Sequence, residues 1–143
     1  MIKGFQDLEV WQKAHKLVLE VYKMTNSFPR NEQFGVVSQI RRAAYSIPAN
    51  LAEGYGRHGT KEFLQFLAIA NGSAEELRYF LLLSRDLRYA SPQDVATMDH
   101  EITRIVQMLA ALTRSLRARL AGSKQLRSSR GTEHGARVTK GLT

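Results

Sequence analysis

Cysteine is absent from the sequence, which excludes a disulfide framework and a zinc–thiolate site and leaves nothing that points to an oxidising compartment. No stretch approaches the roughly 18 uninterrupted apolar residues of a membrane span. The N-terminal MIKGFQDLEVWQKAHK has neither the apolar run nor the small-residue cleavage site of a secretory signal. A cytoplasmic protein with no membrane association is therefore expected. Strand-like alternation is missing too, since no segment keeps period two over a strand-like length. The four histidines, His15, His58, His100 and His134, form neither the Glu-x-x-His pair of di-metal bundles nor an H-E-x-x-H motif, so no metal site is expected. Glu75 with Glu76, and Asp99 with Glu101, read as carboxylates of solvated helix faces, and no nucleophile stands beside a base. No catalytic residue, cofactor-binding residue or cofactor follows from the sequence, and the chain is read as not an enzyme.

Acidic residues are in short supply: 13 Asp and Glu face 21 Lys and Arg, for a net charge of +8. The resulting isoelectric point near 10.1 raises the expectation of a polyanionic partner such as RNA or DNA. Half of the excess lies in residues 122–143, where Lys124, Arg127, Arg130, Arg137 and Lys140 oppose Glu133 alone. That segment is rich in Gly, Ser and Thr and cannot bury enough surface to offset its ordering entropy. It is read as a disordered basic tail, serving either as an arm on nucleic acid or as a solubilising extension. Residues 1–121 then form the single folded domain.

Within that domain the apolar spacing is helical. Trp11, Ala14, Val18 and Val21, joined by Leu17, mark a first helix over about 7–28 that stops before Pro29. A second runs from about Glu32 to Gly54, and a third from a cap at Thr60 to about Tyr89. Ser91 caps a fourth, with Pro92 at its first position. Along that helix Ile102, Ile105, Leu109, Leu112 and Leu116 form a seam ending near Leu120, and Gly122 closes it. Four long helices joined by short breaks give an all-α fold, an antiparallel up-and-down four-helix bundle. The third helix is apolar on most sides: Phe63, Leu67, Ala70, Ala74 and Leu81 share one face, while Leu64, Ile69, Phe80, Leu82 and Leu83 surround the rest. Such a helix needs cover beyond its own bundle, which predicts a homo-oligomer formed through it, against the alternative of a broad stripe in a monomer.

The stretch SIPANLAEGYGR, residues 46–57, carries the most specific pattern. Gly54, Gly56 and Gly59 match G-x-G-x-x-G, but a dinucleotide site needs a strand before the loop. These glycines are read as a helix end and a turn. Pro48 removes a backbone hydrogen bond and crowds the Ala44 carbonyl, predicting a kinked second helix whose freed carbonyl is met by Ser46, Asn50 or water. Opposite the apolar stripe of Ile40, Ala44, Ile47, Leu51 and Tyr55 lies a polar one of Arg42, Ser46, Asn50, Glu53 and Arg57. Two readings of it stand. Arg41, Arg42 and Arg57 form a phosphate-binding ridge oriented by Glu53, or Glu53 pairs with an arginine and Asn50 satisfies backbone at the kink. Lys61 beside Arg57 offers an anion contact at the start of the third helix. Arg78, Arg85 and Arg88 on the third helix, and Arg114, Arg117 and Arg119 on the fourth, are further nucleic-acid candidates.

The run QIRRAAYSIPANLAEGYGRHGTKEFLQFLAIANGSAEELR, with FQDLEVWQKAHKL near the N-terminus, resembles the four-helix bundle family of ribosomal RNA intervening-sequence proteins over roughly residues 5–120. The residues matching its motif are Arg41, Arg42, Ser46, Pro48, Asn50, Glu53, Gly54, Arg57, Gly72, Ser73 and Glu76. The resemblance implies a cytoplasmic bundle assembled as a ring-like homopentamer, with no known catalytic activity. The chain is also similar to the accessory variability protein of diversity-generating retroelements, a basic pentameric barrel thought to engage nucleic acid and a reverse transcriptase. Two functions are thus expected: nucleic-acid binding by a basic surface, or a structural adaptor for a protein partner such as a polymerase.

Overall fold

Each helix forms where apolar side chains recur every three to four residues, and each helix pair buries that stripe against the next. In a computed structural model, the backbone of residues 1–140 and the side chains of residues 1–130 are described. Among the described residues the chain is helical, with no strand. Helix α1 spans Glu9–Thr25 and α2 spans Val36–Gly56, with short 3-10 turns at Phe5–Asp7 and Arg30–Glu32. Helix α3 spans Thr60–Asp86 and α4 spans Pro92–Lys140. The most extensive interface is α2 on α3, followed by α3 on α4 and α1 on α2; α1 on α4 is the least extensive. The result is a four-helix bundle.

The core is aliphatic. Ala14, Leu17 and Val21 of α1 meet Ile40, Ala44, Ile47 and Leu51 of α2, Leu67, Ala70, Ala74, Leu77 and Leu81 of α3, and Ile102, Ile105 and Leu109 of α4, all buried. Fully burying one such leucine or isoleucine contributes about 1.5–3 kcal/mol. Trp11 and Tyr55, expected on the apolar stripes, are half-buried at their margins.

Several helix ends differ from the sequence expectation for local reasons. Ser91 does cap α4, its Oγ accepting the Asp94 amide at 3.1 Å, and Pro92 is the first helical residue. Thr60 is not the cap of α3: the cap position is Gly59, without a side-chain bond, and Thr60 is already helical. Gly54 and Gly56 do not end α2 as a glycine cap either; both are helical, and the left-handed residue of the turn is His58, at φ 60°. Helix α3 ends on a second left-handed residue, Arg88 at φ 62°. There the Tyr89 amide donates to the Ser84 carbonyl at 2.9 Å and the Arg88 amide to the Arg85 carbonyl at 3.0 Å, the paired bonds of a Schellman end.

Helix α4 does not stop at Gly122. A single glycine costs a helix only about 1 kcal/mol, and the Lys, Gln, Leu and Arg that follow are good helix formers. Among the described residues Leu116 is the last buried one, and every residue from 121 to 130 is exposed. The part of the disorder expectation for residues 122–143 that falls on residues 141–143 and on the side chains of 131–140 lies outside the described residues.

Candidate functional site

The polar stripe of α2 faces α3 across the largest helix interface. Residue numbers rise along α2 as those of their partners fall along α3. Arg42 forms an ion pair with Glu76, Ser46 Oγ shares a 2.7 Å hydrogen bond with Ser73 Oγ, and Gly54 lies against Phe63 and Phe66. Asn50 Nδ2 donates to the Ser46 carbonyl at 2.7 Å and to Ser46 Oγ at 3.0 Å. The carbonyl it meets is that of Ser46 and not Ala44, and α2 is continuous through the buried Pro48. Glu53 pairs with Arg57 one turn on, at 3.1 Å and with both side chains half exposed, and the Arg57 guanidinium also stands 5.5 Å from the Phe66 ring centre.

Gly54 explains why a glycine stands inside a helix at that point. A Cβ there would sit 2.7 Å from Phe66 Cβ and 3.1 Å from a Phe63 ring carbon. The absent side chain lets α2 and α3 approach, so Gly54 is a packing residue and not part of a phosphate loop.

Arginines tie three of the four adjacent helix pairs. From α2, Arg41 reaches α1: its Nε donates to Thr25 Oγ1 at 2.8 Å, its Nη2 to Asn26 Oδ1 at 3.2 Å, and its guanidinium covers the Tyr22 ring at 4.4 Å. Arg42 ties α2 to α3 as above. From α3, Arg78 reaches α4, donating to Asp99 Oδ1 at 2.8 Å and Thr103 Oγ1 at 3.0 Å, while also meeting Glu75 at 3.3 Å. Arg85 pairs with its neighbour Asp86 at 3.2 Å. Of the sequence candidates for phosphate contact, Arg41, Arg42, Arg57, Arg78 and Arg85 are thus engaged within the chain, whereas Lys61 and Arg88 have no side-chain partner among the described residues. Asp99 and Glu75, read from sequence as solvated carboxylates, serve as partners of Arg78.

The fourth pair, α1 with α4, is built differently. Glu101 of α4 meets Glu20 of α1, and the pair lies where two cavities of about 270 and 450 Å³ share Glu101. Lys13, Lys16, His100 and Arg104 line one; Glu20, Lys23 and Asp94 stand in the other. The Glu101 carboxyl is pushed up from 4.5 to about 7, chiefly by burial, then by the hydrogen bond to Glu20 and that group's charge, with Lys16 and Lys13 pulling against the shift. Lys13, Lys16 and Arg104 make no ion pair among the described residues. This groove was not legible in the sequence. Glu101 looked like one more exposed carboxylate, and no local pattern brings residue 20 to residue 101.

Together these features define a helical-bundle protein whose SIPANLAEGYGR stretch builds an interhelical seam. No group of three or more His, Cys, Asp or Glu able to hold a metal occurs among the described residues, and no helix there is long and apolar enough to cross a membrane. The family described as 23S rRNA-intervening sequence protein matches residues 6–111, and the chain belongs to that family. Its fold is similar to that of a crystallised protein of unknown function from the S23 ribosomal protein family of Bacteroides thetaiotaomicron, with a TM-score of 0.68 and 23% identity. The match covers 73% of this chain and 95% of that one. Comparison with curated proteins finds no match.

Proposed function

We propose that the chain is a non-enzymatic, antiparallel up-and-down bundle that assembles as a homo-oligomer and binds the phosphodiester backbone of RNA or DNA through its basic surface. The observation that carries this reading is the distribution of unpaired cations. Arg42, Arg57, Arg78 and Arg85 are taken up in ion pairs with Glu76, Glu53, Asp99 and Asp86, and of these Arg42 and Arg78 tie one helix to another. Lys13, Lys16 and Lys23 of α1, and Arg104, Arg114, Arg117 and Arg119 of α4, have no ion-pair partner among the described residues, and Lys61 and Arg88 join them. Cations held in no ion pair attract polyphosphate by releasing its counterions. The family's name, which ties it to ribosomal RNA genes, agrees with this reading.

The test is a fluorescence-anisotropy titration of labelled oligouridine RNA and oligothymidine DNA. Affinity at low salt that falls linearly with the logarithm of salt concentration is the expected result. No affinity at low salt, or affinity indifferent to salt, would sink the proposal. Recovery of a protein partner that survives nuclease treatment, without such binding, would favour the adaptor.

Assembly is proposed to run through α3, as a ring of the pentameric kind that the family resemblance implies. Ile69, Tyr79 and Leu82 of α3 are exposed, at 50%, 56% and 43%, and large exposed apolar groups on one helix favour cover by another surface. A monomer by light scattering at micromolar concentration would refute the assembly.

A further inference from the structure

We propose that the α1–α4 groove is a phosphodiester-binding cleft in which the Glu20–Glu101 pair acts as a proton-operated gate. The inference rests on the nucleic-acid reading above and adds to it the location of one contact and its regulation.

Three helix pairs are tied by an arginine that donates across the interface, Arg41, Arg42 and Arg78. Among the described residues the α1–α4 pair has no such arginine bond, and like parts of the α3–α4 pair it leaves open space. Its walls carry three cations, Lys13 and Lys16 from α1 and Arg104 from α4, with His100 and Glu101 beside them, around a cavity of about 270 Å³. A phosphate group fits that volume, and cations fixed on two helices can reach it from both sides. Lys23 extends the basic wall into the neighbouring cavity.

The charged groups facing Glu101 are Lys13, Lys16, Glu20 and Lys23 from α1, and Asp94, His100 and Arg104 from α4. Burial and the Glu20 carboxylate give Glu101 reason to keep a proton; Lys16 and Lys13 give it reason to lose one. With Glu101 protonated, the pair carries one negative charge, Lys13 and Lys16 are less neutralised, and an entering phosphate meets less repulsion. With Glu101 ionised, the second carboxylate competes with phosphate for the same lysines. The proton that Glu101 takes up comes from solvent, and no covalent step is involved. Because Glu101 is held near neutrality and not at the usual carboxylate value, the exchange falls in a range where small pH changes alter occupancy.

The experiment measures anisotropy with labelled oligouridine and oligothymidine at fixed low salt, at pH 6 and pH 8. Wild-type affinity should fall about three- to tenfold between them, the size expected from one added charge at partly screened distance. Glu101→Gln should stay near the tight value at both pH values. Lys16→Ala and Arg104→Ala should each weaken binding and reduce the magnitude of the salt slope by about one counterion. His100→Asn separates the other group in the groove able to gain a proton; it should keep most of the pH dependence. Circular dichroism of each variant verifies folding, and Glu20→Gln offers a second route to relieving the carboxyl pair. Equal pH dependence in wild type and Glu101→Gln, or its loss in His100→Asn alone, overturns the gate. Full affinity in Lys16→Ala and Arg104→Ala, with loss on removing Lys61 or Arg88, overturns the location while leaving nucleic-acid binding intact. Absence of binding by every variant at both pH values overturns the underlying reading itself.

Discussion

Replacing Gly54 with alanine should loosen the α2–α3 interface in spite of improving helix propensity. The added Cβ would lie 2.7 Å from Phe66 Cβ and 3.3 Å from Phe66 Cγ. Ordinary contact begins near 3.4 Å, so the helices must separate locally by most of an ångström. Phe66 Cβ is the root of its side chain, fixed to the α3 backbone, and no rotamer change moves it away. Overpacking of this kind costs about 1–3 kcal/mol. Against it stands the gain of about 1 kcal/mol that alanine brings to a helix interior over glycine. Since the clash is with a rigid atom, the upper part of the range applies, and the net loss should be about 1–2 kcal/mol. Urea unfolding followed by far-UV circular dichroism reads this as a lower midpoint with an unchanged slope. Gly72 is the control. It is exposed in the same interface helix, and nothing lies within 4 Å of a Cβ placed there. Gly72→Ala should therefore raise the midpoint, by adding up to about 1 kcal/mol of stability, while any effect on assembly is read separately by light scattering. A Gly54→Ala protein as stabilised as Gly72→Ala would refute the close-approach argument.

Arg78→Ala should be the most destabilising of the arginine truncations, by about 1–3 kcal/mol, because it strands several hydrogen-bonding partners at once; its side chain is only 25% exposed and meets Asp99, Glu75 and Thr103. The comparison is Arg57→Ala, whose i,i+4 pair is half exposed and should cost under about 1 kcal/mol; equal losses would contradict the ranking. Arg88→Gly should raise the thermal midpoint, since φ 62° strains a side chain by about 1 kcal/mol that glycine avoids; a lower midpoint would show that the Arg88 side chain contributes more than its backbone costs. For Glu101 the folded-state value is raised, from 4.5 to about 7, so its contribution to stability is fully present below about pH 4.5 and is lost as pH rises through about 7. Wild-type stability should thus fall relative to Glu101→Gln between pH 5 and pH 8 in chemical denaturation, and parallel pH profiles for the two proteins would refute the assignment.

The helices were legible because helix formation is decided locally. The spacing of Ala14, Leu17, Val18 and Val21, or of Ile102, Ile105 and Leu109, can satisfy only one period, and the capping hydroxyl of Ser91 acts within three residues of itself. The polar stripe of α2 was legible for the same reason, and Glu53 does meet Arg57 one turn away. What local reasoning misjudged were the breaks. Glycine is permitted but not required to end a helix, so Gly54, Gly56 and Gly122 all lie within helices, while the left-handed turns fell on His58 and Arg88. In those turns the hydrogen bonds of the chain reversal outweighed the preference for glycine.

The sequence by itself determined an all-helical chain, a basic charge balance, and membership in a family through the SIPANLAEGYGR motif. Only the tertiary structure decided what the charged residues do, because an ion pair across helices depends on distances that no periodicity encodes. Arg42 and Glu76 are 34 residues apart, Arg78 and Asp99 are 21 apart, and both pairs convert candidate ligands for phosphate into ties between helices. The meeting of Glu20 with Glu101 is the clearest case. Folding buries the Glu101 carboxyl against Glu20 in a groove that lysines partly neutralise, and from that burial first and that juxtaposition second comes a carboxyl group that holds its proton near neutrality.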